Sequence, residues 1–174
     1  MRNIQVLPRP LIECVFALAD ENEANIFGLT FAIALMAAIY AVPAYGIQVH
    51  LTGGLGAGKT TLVRAMLRAL GYTQHIRSPT YTLVESYTIR NVKDAPLSIY
   101  HFDLYRFSDP SEWEDAGFRE YFDARAVCLV EWPERAGSML GVPDLQIVFD
   151  IQGKGRKLTA RAYSETGKAC LVQC

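Results

Sequence analysis

The chain has 174 residues, which is enough for one domain with a substantial core and too few for a second large domain. Its 17 basic and 18 acidic side chains leave a net charge of −1, which argues against general electrostatic attachment to nucleic acid. The four cysteines show no C-x-x-C spacing, so we expect reduced thiols in a cytoplasmic protein rather than a zinc site or a disulfide framework.

The first predicted element is an apolar helix over about residues 25–42. No Asp, Glu, Lys or Arg occurs from residue 24 to residue 57, but Pro43-Ala44-Tyr45-Gly46 interrupts the apolar run before it can supply the ~20 residues of a membrane span. The acidic residues just before it are typical of a capped helix in a soluble protein, with Asp20 or Asn22 at the N-cap. We therefore expect neither a membrane segment nor a signal peptide.

This helix is apolar on every side. One face carries Ile26, Thr30, Ile33 and Ala37, and another carries Phe27, Phe31, Leu35 and Ala38. A small α/β domain does not easily bury such a helix all round. We hypothesise that part of residues 26–40 docks on a partner protein or mediates self-association, which Phe31→Asp or Leu35→Asp would disrupt.

A strand, a glycine-rich loop and a helix follow in the order of a phosphate-binding P-loop. Residues 46–51 alternate like a strand, residues 53–61 match G-x-x-x-x-G-K-[ST], and residues 62–70 read as a helix that ends at Gly71. The glycines permit positive φ, so that successive N–H groups can surround an anion. Here the predicted nucleotide-binding residues are Gly54, Leu55, Gly56, Ala57, Gly58, Lys59, Thr60 and Thr61, with Lys59 on the β- and γ-phosphates and Thr60 on Mg²⁺.

The remaining elements predict an α/β protein. The pattern indicates a turn-rich loop that enters a strand at 76–88, a strand at 97–102, a helix at 110–122 with Pro110 at its first position, a central parallel strand at 126–130, and an antiparallel hairpin formed by 145–151 and 157–163. The predicted fold is a P-loop NTPase-like three-layer fold, with a mainly parallel central sheet and antiparallel edge strands.

Two carboxylates directly follow predicted strands. Asp103 follows residues 97–102 and Glu131 follows residues 126–130, at the ends of strands that border the nucleotide crevice. Both are candidates for holding Mg²⁺ and for orienting the attacking water. The alternatives are a helix cap or an ion pair with Arg106 for Asp103, and an ion pair with Arg135 for Glu131.

A hydroxyl-rich loop lies between the P-loop helix and the next strand. Residues 78–82 read Ser-Pro-Thr-Tyr-Thr, and a hydroxyl there could sense the γ-phosphate, as the switch loops of nucleotide-dependent proteins do. The alternative is ordinary turn capping by Ser and Thr.

Four motifs in this order resemble the bacterial TsaE (YjeE) family over about residues 19–164. They are Leu55-Gly-Ala-Gly-Lys-Thr-Thr61, Ser78-Pro-Thr-Tyr-Thr-Leu-Val-Glu85, His101-Phe-Asp-Leu-Tyr-Arg106 and Glu131-Trp-Pro-Glu134. The resemblance implies a Mg²⁺-dependent ATPase, weak when isolated, that is required for threonylcarbamoyl modification of the adenosine next to the tRNA anticodon. It implies TsaD and TsaB as partners, with tRNA contacted only indirectly.

The resemblance also implies individual roles. Lys59 contacts phosphates, Thr60 and Glu131 hold Mg²⁺, and Asp103 supports hydrolysis close to the metal. Thr80 falls in the family's switch-like loop. The remaining cofactor-binding positions are Asp20 and Glu21, beside the adenine of ATP, and Arg156, in the C-terminal hairpin near the nucleotide.

The matched region divides the chain into an extension at 1–18, an ATPase domain at 19–164 and a tail at 165–174. The sequence departs from the family in its uncharged helix after residue 25 and in Ala19, where proline is common. Two other functions remain as alternatives. One is a nucleotide-dependent binding module with incidental hydrolysis, and the other is a small-molecule P-loop kinase, for which the chain shows no arginine-rich lid.

Overall fold

The structure is a computed structural model that describes residues 6–41, 46–90, 95–123 and 125–174. Within these ranges it has seven strands, β1 Ile12–Leu18, β2 Ile47–Gly53, β3 Val84–Ile89, β4 Leu97–Asp103, β5 Ala126–Glu131, β6 Leu145–Gln152 and β7 Gly155–Ala162. The α-helices are α1 Glu21–Ala41, α2 Lys59–Ala69, α3 Glu112–Asp115, α4 Arg119–Asp123 and α5 Glu165–Leu171, and two 3₁₀ turns cover Pro133–Arg135 and Gly137–Leu140. The predicted helix end at Val42 and the predicted break at 43–45 lie outside the described residues.

All seven strands belong to one sheet in the order β1-β7-β6-β2-β5-β4-β3. The centre is parallel, because β2 pairs in parallel with both β5 and β6, and β4 pairs in parallel with β5. The edges are antiparallel, through the pairs β1–β7, β6–β7 and β3–β4. This arrangement confirms the predicted fold class.

Helices cover the sheet on both faces. Alternate residues of β5 enter two different cores, with Val127 and Leu129 in one and Cys128 and Val130 in the other. Since successive side chains of a strand point to opposite faces, the two cores lie on opposite sides of the sheet. The first contains α1, α2 and α5, and the second contains aromatic residues of and around α3 and α4. Every residue of β5 is buried, as expected of a strand covered on both faces.

The helix α1 begins with an acidic cap. The Glu23 N–H donates to Asp20 Oδ1 at 2.9 Å, and the Ala19 N–H donates to Glu23 Oε2 at 2.6 Å. Asp20, rather than Asn22, is therefore the N-cap. The Glu23 carboxylate in turn accepts from the N–H of Ala19, the residue before the cap, in a variant of the capping box.

One face of α1 is in the core and another is exposed. Phe31 is 0% and Leu35 1% exposed, whereas Ile26, Leu29 and Ile33 are 56%, 44% and 57% exposed. Phe31 and Leu35 were therefore wrongly proposed as docking residues, because they pack inside the domain. Among the described residues α1 alone is long and apolar enough to cross a membrane, a test that the core helix of a soluble protein also passes.

The prediction of a single helix over residues 110–122 is wrong. The structure has two short helices, α3 and α4, separated by Gly117 with a φ of +68°. A left-handed residue ends a helix, and glycine adopts that conformation without the steric cost of a Cβ atom.

Both segments outside the predicted 19–164 domain contribute to the fold. The predicted extension contains β1, which pairs with β7 along its whole length, and the predicted tail contains α5, which packs on α1. The Phe16 ring of β1 lies 4.8 Å from the Phe27 ring of α1.

Candidate functional site

The parallel strands β2, β5 and β4 end at the same edge of the sheet, where the polar residues gather. Glu131 pairs with Leu51 on one side and with Asp103 on the other. The next residues of β2 lead into the P-loop, so that the loop lies beside both carboxylates. Lys59, Asp103 and Glu131 are only 4%, 5% and 3% exposed, so each needs polar partners inside the protein.

Glu131 is bound by two donors on the same oxygen. Thr60 Oγ1 donates to Glu131 Oε1 at 2.7 Å, and His101 Nε2 lies 2.8 Å from that atom. An ionised carboxylate only accepts hydrogen bonds, so His101 donates from Nε2. Its other ring nitrogen, Nδ1, is buried without a hydrogen-bond partner among the described residues. No role of His101 was predicted from the sequence, although a histidine inside an apolar strand indicates a buried polar contact.

Asp103 is held by the switch-like loop and by its own turn. Thr80 Oγ1 donates to Asp103 Oδ2 at 2.9 Å, and the Tyr105 N–H donates to Asp103 Oδ1 at 3.0 Å. Ser78 Oγ lies 2.8 Å from Thr80 Oγ1, which extends the contact along the loop. The structure thus brings Thr80 to Asp103, and the described residues show no ion pair between Asp103 and Arg106.

The Lys59 ammonium group is folded back on the P-loop. Lys59 Nζ donates to the carbonyl oxygens of Gly53 at 2.7 Å and Gly54 at 2.9 Å, and it lies 4.1 Å from the centre of the Trp132 ring. Burial lowers the pKa of Lys59, and the negative charges of Glu131, Glu134 and Asp103 oppose that shift. To contact a phosphate, Lys59 has to exchange these carbonyl oxygens for phosphate oxygens.

Trp132 has an unusual backbone conformation beside this lysine. Its φ is +57°, in the left-handed region that a bulky residue adopts at a cost of about 1–3 kcal/mol. The conformation follows Glu131 directly and precedes a 3₁₀ turn, and the Trp132 ring also packs on Tyr105 with ring centres 4.9 Å apart. Such strain is concentrated at functional sites.

A cleft of about 310 Å³ lies beside the P-loop. Its walls come from the start of α1, the P-loop and the β6–β7 hairpin, and its lining residues include Asp20, Glu21, Gly56, Ala57, Gly58, Thr61, Lys154 and Arg156. Thr61 lines this cleft while its neighbour Thr60 contacts Glu131, so the first turn of α2 joins the cleft to the carboxylate pair. The structure thereby brings Asp20, Glu21 and Arg156 to the P-loop, although they are distant from it in sequence.

The P-loop backbone fits a phosphate group. Gly56 and Gly58 have φ values of +72° and +108°, and a Cβ added at Gly56 would meet no atom within 4 Å. Glycine is therefore required at position 56 by the backbone conformation and not by crowding. Gly58 is also the N-cap of α2, so the positive end of the helix dipole faces the loop.

The oxygen donors next to the loop fit Mg²⁺. A threonine hydroxyl and a carboxylate are the ligands that this ion prefers, and Thr60 and Glu131 supply one of each. The described residues contain no group of three or more His, Cys, Asp or Glu side chains arranged to hold a metal ion. The remaining ligands would therefore come from phosphate oxygens and water, as they do when Mg²⁺ binds with a nucleotide.

Comparison with known proteins identifies related chains. The profile of the family described as "Threonylcarbamoyl adenosine biosynthesis protein TsaE" matches residues 19–161. The protein of Haemophilus influenzae named tRNA threonylcarbamoyladenosine biosynthesis protein TsaE is 45% identical over 122 residues, which are 70% of this chain and 74% of that one. The Bacillus subtilis protein of the same name is 42% identical over 124 residues, 71% and 73% of the two chains. A crystal structure of Bacillus subtilis YdiB superposes with a TM-score of 0.67 and 25% identity, over 95% of this chain and 97% of that one.

Proposed function

Because the chain belongs to the TsaE family, which takes part in tRNA threonylcarbamoyladenosine biosynthesis, we propose that it serves that pathway as a Mg²⁺-dependent ATPase. The observation that carries the proposal is the 2.7 Å contact between Thr60 Oγ1 of the P-loop and Glu131 Oε1 at the end of β5. The contact places a hydroxyl and a carboxylate side by side at the start of the P-loop helix, where Mg²⁺ of a bound triphosphate needs its protein ligands.

Each residue of the site has a proposed role. The P-loop amides would bind the phosphates together with Lys59, once its Nζ has left the Gly53 and Gly54 carbonyls. Thr60 and Glu131 would hold the metal, and His101 Nε2 keeps the Glu131 carboxylate in place. Mg²⁺ held there would neutralise charge that develops on the phosphate oxygens.

Asp103 is the residue we propose to orient the attacking water. Its two oxygens accept from Thr80 and from the Tyr105 N–H, which leaves further lone pairs on the carboxylate for a water molecule. The bond to Thr80 couples this carboxylate to the switch-like loop, so that a movement of the loop alters the position of Asp103.

The partners we propose are the TsaD and TsaB proteins, in the cytoplasm, with tRNA engaged through them and no membrane. Support comes from membership of the family and from the net charge of −1, which lacks the basic excess of an independent tRNA-binding protein.

The experiment that tests this function compares Glu131→Gln and Asp103→Asn with the wild type. ATP binding, ATP hydrolysis and tRNA modification turnovers are measured in a mixture with TsaD, TsaB, tRNA and the threonylcarbamoyl donor. We expect hydrolysis to fall at least about 100-fold in both variants, since each loses a charge used in the transition state, and repeated modification to stop. Glu120→Gln, at an exposed carboxylate on α4, is the matched control and should keep its activity.

Lys59→Ala should abolish nucleotide binding in the same assay while the domain remains folded. Full modification by Lys59→Ala would overturn the proposal. Modification that persists in Glu131→Gln and Asp103→Asn without hydrolysis would instead show a nucleotide-dependent binding module.

A further inference from the structure

The side chain of Arg156 is bound by backbone carbonyl groups. Its Nε donates to Ala57 O at 2.9 Å and its Nη2 donates to Gly56 O at 3.2 Å, both in the P-loop. Its Nη1 donates to Gly155 O at 2.8 Å and to Lys154 O at 3.4 Å, in its own hairpin. These bonds use four of the five N–H donors of a guanidinium group, and so leave no pair of donors free to grip a phosphate bidentately.

The two P-loop bonds constrain the amide groups that bind phosphate. A peptide unit is planar and trans, so its N–H points away from its C=O. The peptide that carries Gly56 O also carries the Ala57 N–H, and the peptide that carries Ala57 O also carries the Gly58 N–H. When Arg156 holds both oxygens on its side, both N–H groups are directed to the opposite side of the loop. There the Ala57 N–H donates to Gly54 O at 3.3 Å, and it has to exchange this carbonyl oxygen for a phosphate oxygen when a ligand binds.

Arg156 comes from a rigid part of the fold. It lies on β7, where it pairs with Leu18 of β1 and with Ile151 of β6. The loop that it contacts has glycines at positions 54, 56 and 58, so the loop gains little rigidity from its own side chains. Bonds inside the loop converge on the Gly54 carbonyl, from Lys59 Nζ and the Ala57 N–H, whereas Arg156 holds the Gly56 and Ala57 carbonyls from outside it.

We propose that Arg156 is a positioning residue that orients the Ala57 and Gly58 amides toward phosphate, and is not itself a ligand of the nucleotide. The proposal rests on the proposed nucleotide-binding function and assigns Arg156 a role different from the direct contact implied by the family resemblance. Lysine cannot replace arginine in this role, because one ammonium group does not reproduce the fixed planar fork that spans two carbonyl oxygens.

The test uses Arg156→Lys and Arg156→Gln in the full chain. Dissociation constants are measured calorimetrically for ATP, ADP and inorganic tripolyphosphate, and hydrogen exchange of the Ala57 and Gly58 amides is measured by NMR without any ligand. We expect the dissociation constants of both variants to rise by about tenfold or more, by a similar factor for all three ligands, because each uses the same amides. Both amides should exchange faster than in the wild type.

The matched controls are Arg161→Lys and Arg161→Gln. Arg161 lies on the same strand but pairs with Glu13 at 2.6 Å, away from the P-loop, so these variants should bind all three ligands like the wild type. Thermal unfolding of every variant separates a local effect on the loop from loss of the fold.

Three results would overturn the inference. Wild-type affinity in Arg156→Lys would show that charge alone is needed. A loss for ATP and tripolyphosphate but not ADP would indicate a direct γ-phosphate contact, and a loss for ATP and ADP but not tripolyphosphate would indicate a nucleoside contact. If the wild type bound none of the three ligands, the proposed function would fail, while the ligand-free exchange comparison would still decide whether Arg156 orders the loop.

Discussion

At the scale of single residues, buried charge at the candidate site is stabilised by polar neighbours. Glu131 accepts from Thr60 and His101 through one oxygen, and Asp103 accepts from Thr80 and a backbone amide. An ionised carboxylate that is 3–5% exposed would otherwise be strongly destabilising. Replacing Thr60 or Thr80 therefore affects the carboxylates as well as the ligand that they would bind.

A second buried histidine predicts a pH dependence of stability. His50 lies on β2, its Nε2 accepts a hydrogen bond from Gln48 Nε2 at 2.7 Å, and burial lowers its pKa from 6.5 to about 3. The unfolded chain takes up a proton below pH 6.5 while the folded protein does not, so stability is lost as pH falls from about 6.5 toward 3. We expect the His50 contribution to the free energy of unfolding to fall by about 1.4 kcal/mol between pH 7.5 and pH 5.5.

This contribution is measured by urea unfolding of the wild type and His50→Gln at both pH values. Glutamine keeps a hydrogen-bond acceptor but does not titrate in this range, and the subtraction removes the effect of every other group. An equal loss of stability in the two proteins would contradict the prediction.

At the scale of elements, α1 illustrates how one helix serves as a core helix and yet leaves an apolar face exposed. Phe27 stacks on Phe31 with ring centres 5.8 Å apart. A Cβ added at Gly28 would lie 2.6 Å from the Cβ of Ala65, so α1 and α2 approach closely at that glycine. Residues Ile26, Leu29 and Ile33 remain exposed on the same helix. The self-association predicted for residues 26–40 stays a prediction, and these three residues are the ones on which to test it.

The two faces of α1 should differ in their effect on stability. Phe31→Ala should lower the free energy of unfolding by about 3–5 kcal/mol, because it removes a fully buried ring and leaves a cavity. Ile33→Ala, two positions along the helix, should change it by less than about 0.5 kcal/mol. Chemical denaturation of both variants measures these two changes in unfolding free energy. Similar losses of stability in the two variants would show that the exposed face is covered in solution.

The elements that the sequence predicted well are those with a strong local pattern. The strands β2, β4 and β5 lie within two residues of their predicted bounds, because each combines apolar runs with clear breaks. Residues 110–122 were predicted as one helix, whereas the left-handed backbone of Gly117 divides the segment into two.

At the scale of the whole molecule, the sheet connects the two ends of the chain. Strand β1 is joined to β7 by seven residue pairs from Ile12↔Ala162 to Leu18↔Arg156, and the last of these pairs includes the arginine that contacts the P-loop. The edge strand therefore supports the strand that carries Arg156. A protein that begins at residue 19 would keep the P-loop motif and lose this support.

Deletion of residues 1–18 should destabilise the domain. The truncation removes every β1–β7 pair and the Phe16 ring, and exposes the edge of β7 to water. We expect the melting temperature to fall by about 10 °C, corresponding to roughly 3 kcal/mol. Deletion of residues 1–10, which leaves β1 intact, is the control, and an unchanged melting temperature in the longer truncation would refute the prediction.

The sequence by itself determined the local chemistry of this protein. Three features depend on residues that are neighbours in the chain and can be recognised without a structure. They are the P-loop, its strand–loop–helix order, and the carboxylates that follow two strands. Only the tertiary structure decided which face of α1 is buried, that His101 holds Glu131, and that Arg156 contacts the P-loop. These contacts join residues that the order of strands in the sheet brings together, as Arg156 and Ala57 lie 99 positions apart. The order of the strands is set by the packing of the whole domain, and no single segment of the sequence carries a hydrophobic pattern that reveals it.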